Sequence, residues 1–129
     1  MSVRWLDRRI AAPGPYLTLC LTEVDFKAAL RHCKVQEHVP FVAGDHADAT
    51  AHHLLNPKGQ RVCIVTLKGW EGRDPVEVAG LLVHEAVHVW QEYCLSIGEH
   101  HPAREQEAYA VQAISQELMA SFARQIGAR

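Results

Sequence analysis

Hydrophobic and polar positions along the chain fall into blocks of two different periods. Tyr16-Leu17-Thr18-Leu19-Cys20-Leu21 alternates and is rich in β-favouring residues, which predicts a strand. Thr22 reads as the cap of a helix from Glu23 to about Lys34, where Val24, Ala28 and Leu30 or Arg31 recur at helical spacing. Pro40-Phe41-Val42-Ala43 is a short strand candidate, and Gly44-Asp45-His46-Ala47-Asp48 reads as a turn. Ala49 to Leu55 and Arg61 to Leu67 look like two strands, joined through Asn56-Pro57-Lys58-Gly59-Gln60 as a hairpin. The second of them is β-branched and nearly continuous in apolar character, the clearest strand of the chain.

The C-terminal half changes to helical spacing. Asp74-Pro75-Val76-Glu77 is a helix start, with an acidic cap, proline at the first helical position and glutamate three residues on. Gly98 is the matching stop. The helix between them is of about 22 residues and carries apolar side chains on nearly every side, so it is expected to be buried all round. Val78, Leu81, Leu82, Val83, Val87, Val89, Trp90, Leu95 and Ile97 supply that character. A second long helix is expected from about Ala103 to Gln125, with the stripe Ala108, Val111, Ile114 or Ser115, Leu118, Phe122, Ile126. Residues 1–15 read as an extended charged arm ending in Ala12-Pro13-Gly14-Pro15. The expected fold is a single α+β domain over residues 1–129, a small antiparallel or mixed sheet packed on two long helices.

The first of those two helices carries the chemistry. His84-Glu85-Ala86-Val87-His88 contains His-Glu-x-x-His, and helical spacing stacks His84 and His88 one turn apart on one face, where both imidazoles can meet one metal ion. Glu85 falls about 100° further round, beside the metal rather than on it, where a general base for a water molecule belongs. With nine histidines in the chain, chance supplies about 0.05 such matches. Context therefore has to carry the motif, and the strong helix signals on both sides do. Because both histidines lie mid-helix among apolar residues, they are expected to be buried, and metal loss to destabilise the fold.

Composition narrows the partners. The chain has 129 residues, a net charge of −2 and ordinary hydrophobic and charged fractions, so neither nucleic acid nor an anionic membrane is an expected partner. No apolar run has the length of a signal peptide or a membrane span, and a cytoplasmic location is expected. Cys20, Cys33, Cys63 and Cys94 are spread without any Cys-x-x-Cys pair and are expected as reduced, unpaired thiols.

A catalytic zinc usually takes three protein ligands and leaves a fourth position open. Four side chains compete for the third place: Glu105, Glu107, Cys94 and His101. Cys94 lies six residues after His88, where one zinc-peptidase class has a histidine, but that class needs glycine at the position of Gln91. Glu107 lies about 50° from the centre of its helix's apolar stripe and Glu105 about 110°, so helix geometry leaves the two open.

His84-Glu85-Ala86-Val87-His88 followed by Glu105-Gln106-Glu107-Ala108-Tyr109 resembles the gluzincin pattern of zinc metallopeptidases. In that family a carboxylate from a following helix completes the site, often within Glu-x-x-Ala-Asp. The resemblance, which covers roughly residues 75–120, implies a zincin-like fold, bound Zn2+ and peptide or protein substrates. It also implies Glu85 as general base and Glu105 as third ligand, with Glu107 the alternative. Tyr109 stands where the family commonly has an aspartate near the metal, a departure that leaves it a candidate for holding a ligand or stabilising the transition state. The same stretches resemble small metallopeptidases encoded by phages and prophages. His100, His101 and Arg104 join Tyr109 as candidates for stabilising an oxyanion. The rival expectation is a non-catalytic zinc-binding domain, regulatory or phage-associated and structural, that retains the site. A structural or assembly protein without metal is the third.

Overall fold

A computed structural model of the chain describes residues 16–44 and 46–127, and the arm expected over residues 1–15 lies outside them. The elements run β1 (Tyr16–Cys20), α1 (Glu23–His32), β2 (Ala49–Leu55), β3 (Arg61–Leu67), α2 (Pro75–Ser96) and α3 (Arg104–Gly127). The expected α+β class holds, with a three-stranded mixed sheet and three helices. The sheet order is β1-β3-β2. β3 pairs parallel with β1 and antiparallel with β2. A strand paired on both sides and covered on both faces is buried at every step, and Val62 to Leu67 are all buried, apolar but for Thr66, whose hydroxyl is hydrogen-bonded.

The alternation of side chains sorts the sheet into two cores. Leu17, Leu19, Cys63, Val65 and Leu67 point to one face, where Val78, Leu82, Ala86, Val89 and Trp90 of α2 and Ile114 and Leu118 of α3 cover them. Cys20, Val62, Ile64 and Leu54 point to the other, under Phe26, Ala29 and Leu30 of α1. The two long helices therefore share one face, and the short helix takes the other.

Local chemistry fixes the ends of the elements. Thr22 Oγ1 accepts the backbone N–H of Asp25 at the start of α1. Asp74 Oδ1 accepts from Val76 N at 2.8 Å at the start of α2, while Glu77 pairs with Arg73 rather than folding back on the cap. Arg73 also reaches Asp48, tying the loop before β2 to the foot of α2. At the far end, Gly98 takes φ of +72°, and Glu99 N returns to the carbonyl of Cys94.

The strand expected at Pro40–Ala43 is not formed. That segment is held instead by side chains of the sheet: Ala43 N donates to Thr50 Oγ1, and the Phe41 carbonyl accepts from the Thr66 hydroxyl and the His52 Nε2–H. Once these donors satisfy it, a ladder is not required. His52 is 7% exposed and stacks at 4.8 Å on Phe26. All four cysteines are unpaired, and burial pushes the Cys20 thiol up to about 12. Among the described residues no helix is long and apolar enough to cross a membrane.

Burial holds the His52 imidazole below the ordinary histidine pKa, against an opposing bond to Phe41. A histidine depressed in the folded state stabilises fully above its unfolded pKa of about 6.5, and that contribution is lost as pH falls below it. The urea midpoint of the wild type is expected to fall between pH 7.5 and pH 5.5. A His52→Gln variant should show a smaller fall over that range and a loss of about 1–3 kcal/mol at pH 7.5.

Candidate metal centre

The buried stripe of α2 sets its rotation. Val78, Leu82, Ala86, Val89 and Trp90 face the sheet and α3. At 100° per residue, Glu85 falls at the Val78 edge of that stripe and is 4% exposed, whereas His88 and His84 lie about 80° and 120° beyond that edge and are exposed. The expectation that α2 is buried all round is therefore overturned. Leu95, which falls between His84 and His88 around the helix, is 64% exposed and Val76 is 77% exposed, so the apolar composition of the helix concealed a surface open to solvent.

The two imidazoles converge. Their Nε2 atoms are 3.2 Å apart, with ring planes at 74°. Two nitrogens on a tetrahedral zinc with bonds of about 2.0–2.1 Å stand roughly 3.3 Å apart, so little movement is needed to clamp an ion. His88 Nδ1 lies 3.0 Å from Gln91 Oε1. An Nδ1–H donated to that oxygen leaves the Nε2 lone pair of His88 aimed at His84, the tautomer a metal requires. With that tautomer, His84 Nε2–H is the donor between the two rings. Gln91 enters the sequence as the residue that breaks a glycine turn; its role as a ring orienter is visible in its i, i+3 distance from His88.

Glu85 completes a group of three whose ligand-capable atoms all lie within 4.8 Å of one another, a group that could hold a metal ion. Its Oε2 is buried without a hydrogen-bond partner. Burial raises its pKa, and the nearby His84 and His88 oppose that rise. An orphaned buried carboxylate is costly in the fold, and it fits a site whose cation or water would pair with it.

The other candidates lie elsewhere. Among the described residues, the group of three includes neither Glu105 nor Glu107. Glu107 accepts the indole N–H of Trp90 at 2.9 Å. Trp90 is two positions beyond His88, about 200° around α2, so this bond holds Glu107 on the far side of the helix from the histidines. Glu105 is a further 200° around α3 from Glu107 and is exposed. Tyr109 is 67% exposed and lies outside the group formed by His84, Glu85 and His88. Cys94 is a buried core thiol. His100, His101 and Arg104 are exposed around the α2–α3 turn, where His101 N donates to Glu99.

Beside the histidines, β2 and α2 enclose an open cleft of about 520 Å³ lined by Ala51, His53, His88, Gln91, Glu92 and Leu95. Comparison with family models, with curated proteins and with solved structures returned no match.

Exposed histidines contribute little to the fold, so His84→Ala and His88→Ala should shift unfolding free energy by within about 0.5 kcal/mol, measured without metal. Glu85→Gln is expected to leave the metal-free protein at least as stable at pH 7, since it removes a buried charge. Glu107→Ala is expected to cost about 1 kcal/mol, because the buried Trp90 N–H loses its acceptor.

Proposed function

We propose that the chain is a zinc-dependent metallopeptidase of zincin-like, gluzincin type, in which His84 and His88 hold the metal and Glu85 is the general base. The observation that carries this is the 3.2 Å approach of the two Nε2 atoms beside a buried carboxylate whose Oε2 has no hydrogen-bond partner. Each part has a chemical use: the histidines chelate, Gln91 orients one ring, and Glu85 keeps its Oε2 without a hydrogen-bond partner. Zinc bound there supplies Lewis acidity toward water and toward the scissile carbonyl.

The remaining chemistry belongs to the chain. Glu85, raised by burial, takes a proton from the attacking water and passes it to the leaving amine. The position of its carboxyl between core and histidines limits solvent access to that proton. β3 is paired on both sides, which leaves β2 as the edge nearest the cleft. An extended peptide can add to that edge with its backbone beside α2. Glu105 is the third ligand under the gluzincin resemblance. Its present distance from the pair means that ligation through it requires the start of α3 to move.

A second reading has its own support. A group of His84, Glu85 and His88 that, among the described residues, takes in neither Glu105 nor Glu107 also suits a zinc-binding domain without catalysis, regulatory or phage-associated, in which a partner fills the remaining positions.

Glu85→Gln separates the two. In the peptidase it should retain zinc and fold while casein hydrolysis falls by about 10²–10⁴. Wild-type and Glu85→Gln proteins that are equally active on casein, or equally inert with zinc bound, would contradict the catalytic proposal.

A further inference from the structure

His53 stands on the strand wall of the cleft, opposite the helix that carries the metal ligands. Along β2 the buried His52 and Leu54 belong to the α1 face, while Ala49, Ala51 and His53 belong to the face covered by α2. Ala51 and His53 line one side of the cleft, and His88, Gln91, Glu92 and Leu95 line the other. Across the cleft from His53, Glu92 is fixed by a 3.0 Å ion pair with Arg61, and its negative charge acts on the His53 ring.

Distance separates two roles for this ring. A third nitrogen ligand would stand roughly 3.3 Å from each of the other two. The mutually close ligand atoms among the described residues are those of His84, Glu85 and His88, and His53 is outside that group. It shares the cleft rather than the cluster. Space between a ring N–H and a metal site is what a substrate carbonyl needs. The exposed Tyr109, His100, His101 and Arg104 do not line this cleft.

We propose that His53 is a substrate-contacting catalytic residue, donating its imidazole N–H to the oxygen of the scissile carbonyl as that oxygen becomes an oxyanion, with Glu92 as its positioning residue. This rests on the peptidase function proposed above. In the step, the water oxygen bonds to the carbonyl carbon, the π pair moves onto the carbonyl oxygen, and the water proton goes to Glu85. His53 keeps its own proton throughout and strengthens one hydrogen bond as charge develops. The C–N bond then breaks, the carbonyl re-forms, and the amine leaves with the proton from Glu85. Either charge state of the ring has a donor, so no titration is involved.

The test measures casein hydrolysis and zinc affinity on the zinc-loaded full chain, for wild type, His53→Ala, His53→Gln and Glu85→Gln. His53→Ala is expected to lower kcat by about 10²–10³ with KM and zinc affinity unchanged, the loss typical of one oxyanion donor. His53→Gln retains an N–H donor and should recover part of it. His53 is exposed on the sheet edge, and circular dichroism should report the wild-type fold for both variants. Unchanged kcat in His53→Ala, with Glu85→Gln inactive, overturns the His53 role and leaves the peptidase standing. Loss of zinc affinity makes His53 a metal ligand and also overturns it. Casein left intact by the wild type overturns both proposals.

Discussion

The rotation of α2 about its own axis is the constraint on which the site depends. Five apolar side chains, Val78, Leu82, Ala86, Val89 and Trp90, are pressed between the sheet and α3. Burying side chains of this size is worth about 1.5–3 kcal/mol for each large one, so turning the helix by even one residue would cost several of them at once. That rotation decides the rest. It puts the Glu85 carboxylate at the edge of the buried stripe, where it loses solvent, and leaves His84 and His88 facing out beyond that edge. The Trp90–Glu107 bond ties α3 to the same orientation. Core packing thus sets the polarity of the site: a desolvated carboxylate beside two accessible imidazoles.

The site's second wall comes from the sheet. Because β3 is the central strand, β2 is left at an edge, and its antiparallel pairing puts His53 beside Cys63 on the α2 side. The same period of two sends His52 to the opposite face, where it holds Phe41 and packs on Phe26. Adjacent histidines on one strand therefore have unrelated tasks. One is buried and supports a loop; the other is exposed in a cleft. Only the register of the strand distinguishes them.

Much of this was legible in the chain. The limits of β2 and β3 follow from β-branched composition and turn residues, and α2 begins at Asp74-Pro75 as its cap chemistry requires. The relation of His84, Glu85 and His88 also follows from helical spacing alone. Burial around α2 did not follow, because exposed Val76, Val83 and Leu95 look like core residues in a linear pattern. The segment at Pro40–Ala43 has strand-like composition, yet it is organised by side chains from residues distant in sequence. His53 was hidden for the same reason, since its place in the cleft depends on what faces it, whereas Gln91 could have been read from its i, i+3 spacing to His88. The third ligand was least legible, since Glu105 and Glu107 differ by two positions on α3 and the choice turns on how α3 sits against α2.

The central claim is that the exposed pair on α2 holds one zinc ion. Elemental analysis of the purified chain, after dialysis against metal-free buffer, tests it most directly when wild type and a His84→Ala, His88→Ala double variant are measured together. The expected result is about one zinc per chain in the wild type and none in the double variant, with both proteins folded. Zinc retained at equal stoichiometry by the double variant, or a folded wild type that binds none when zinc is supplied, would contradict it.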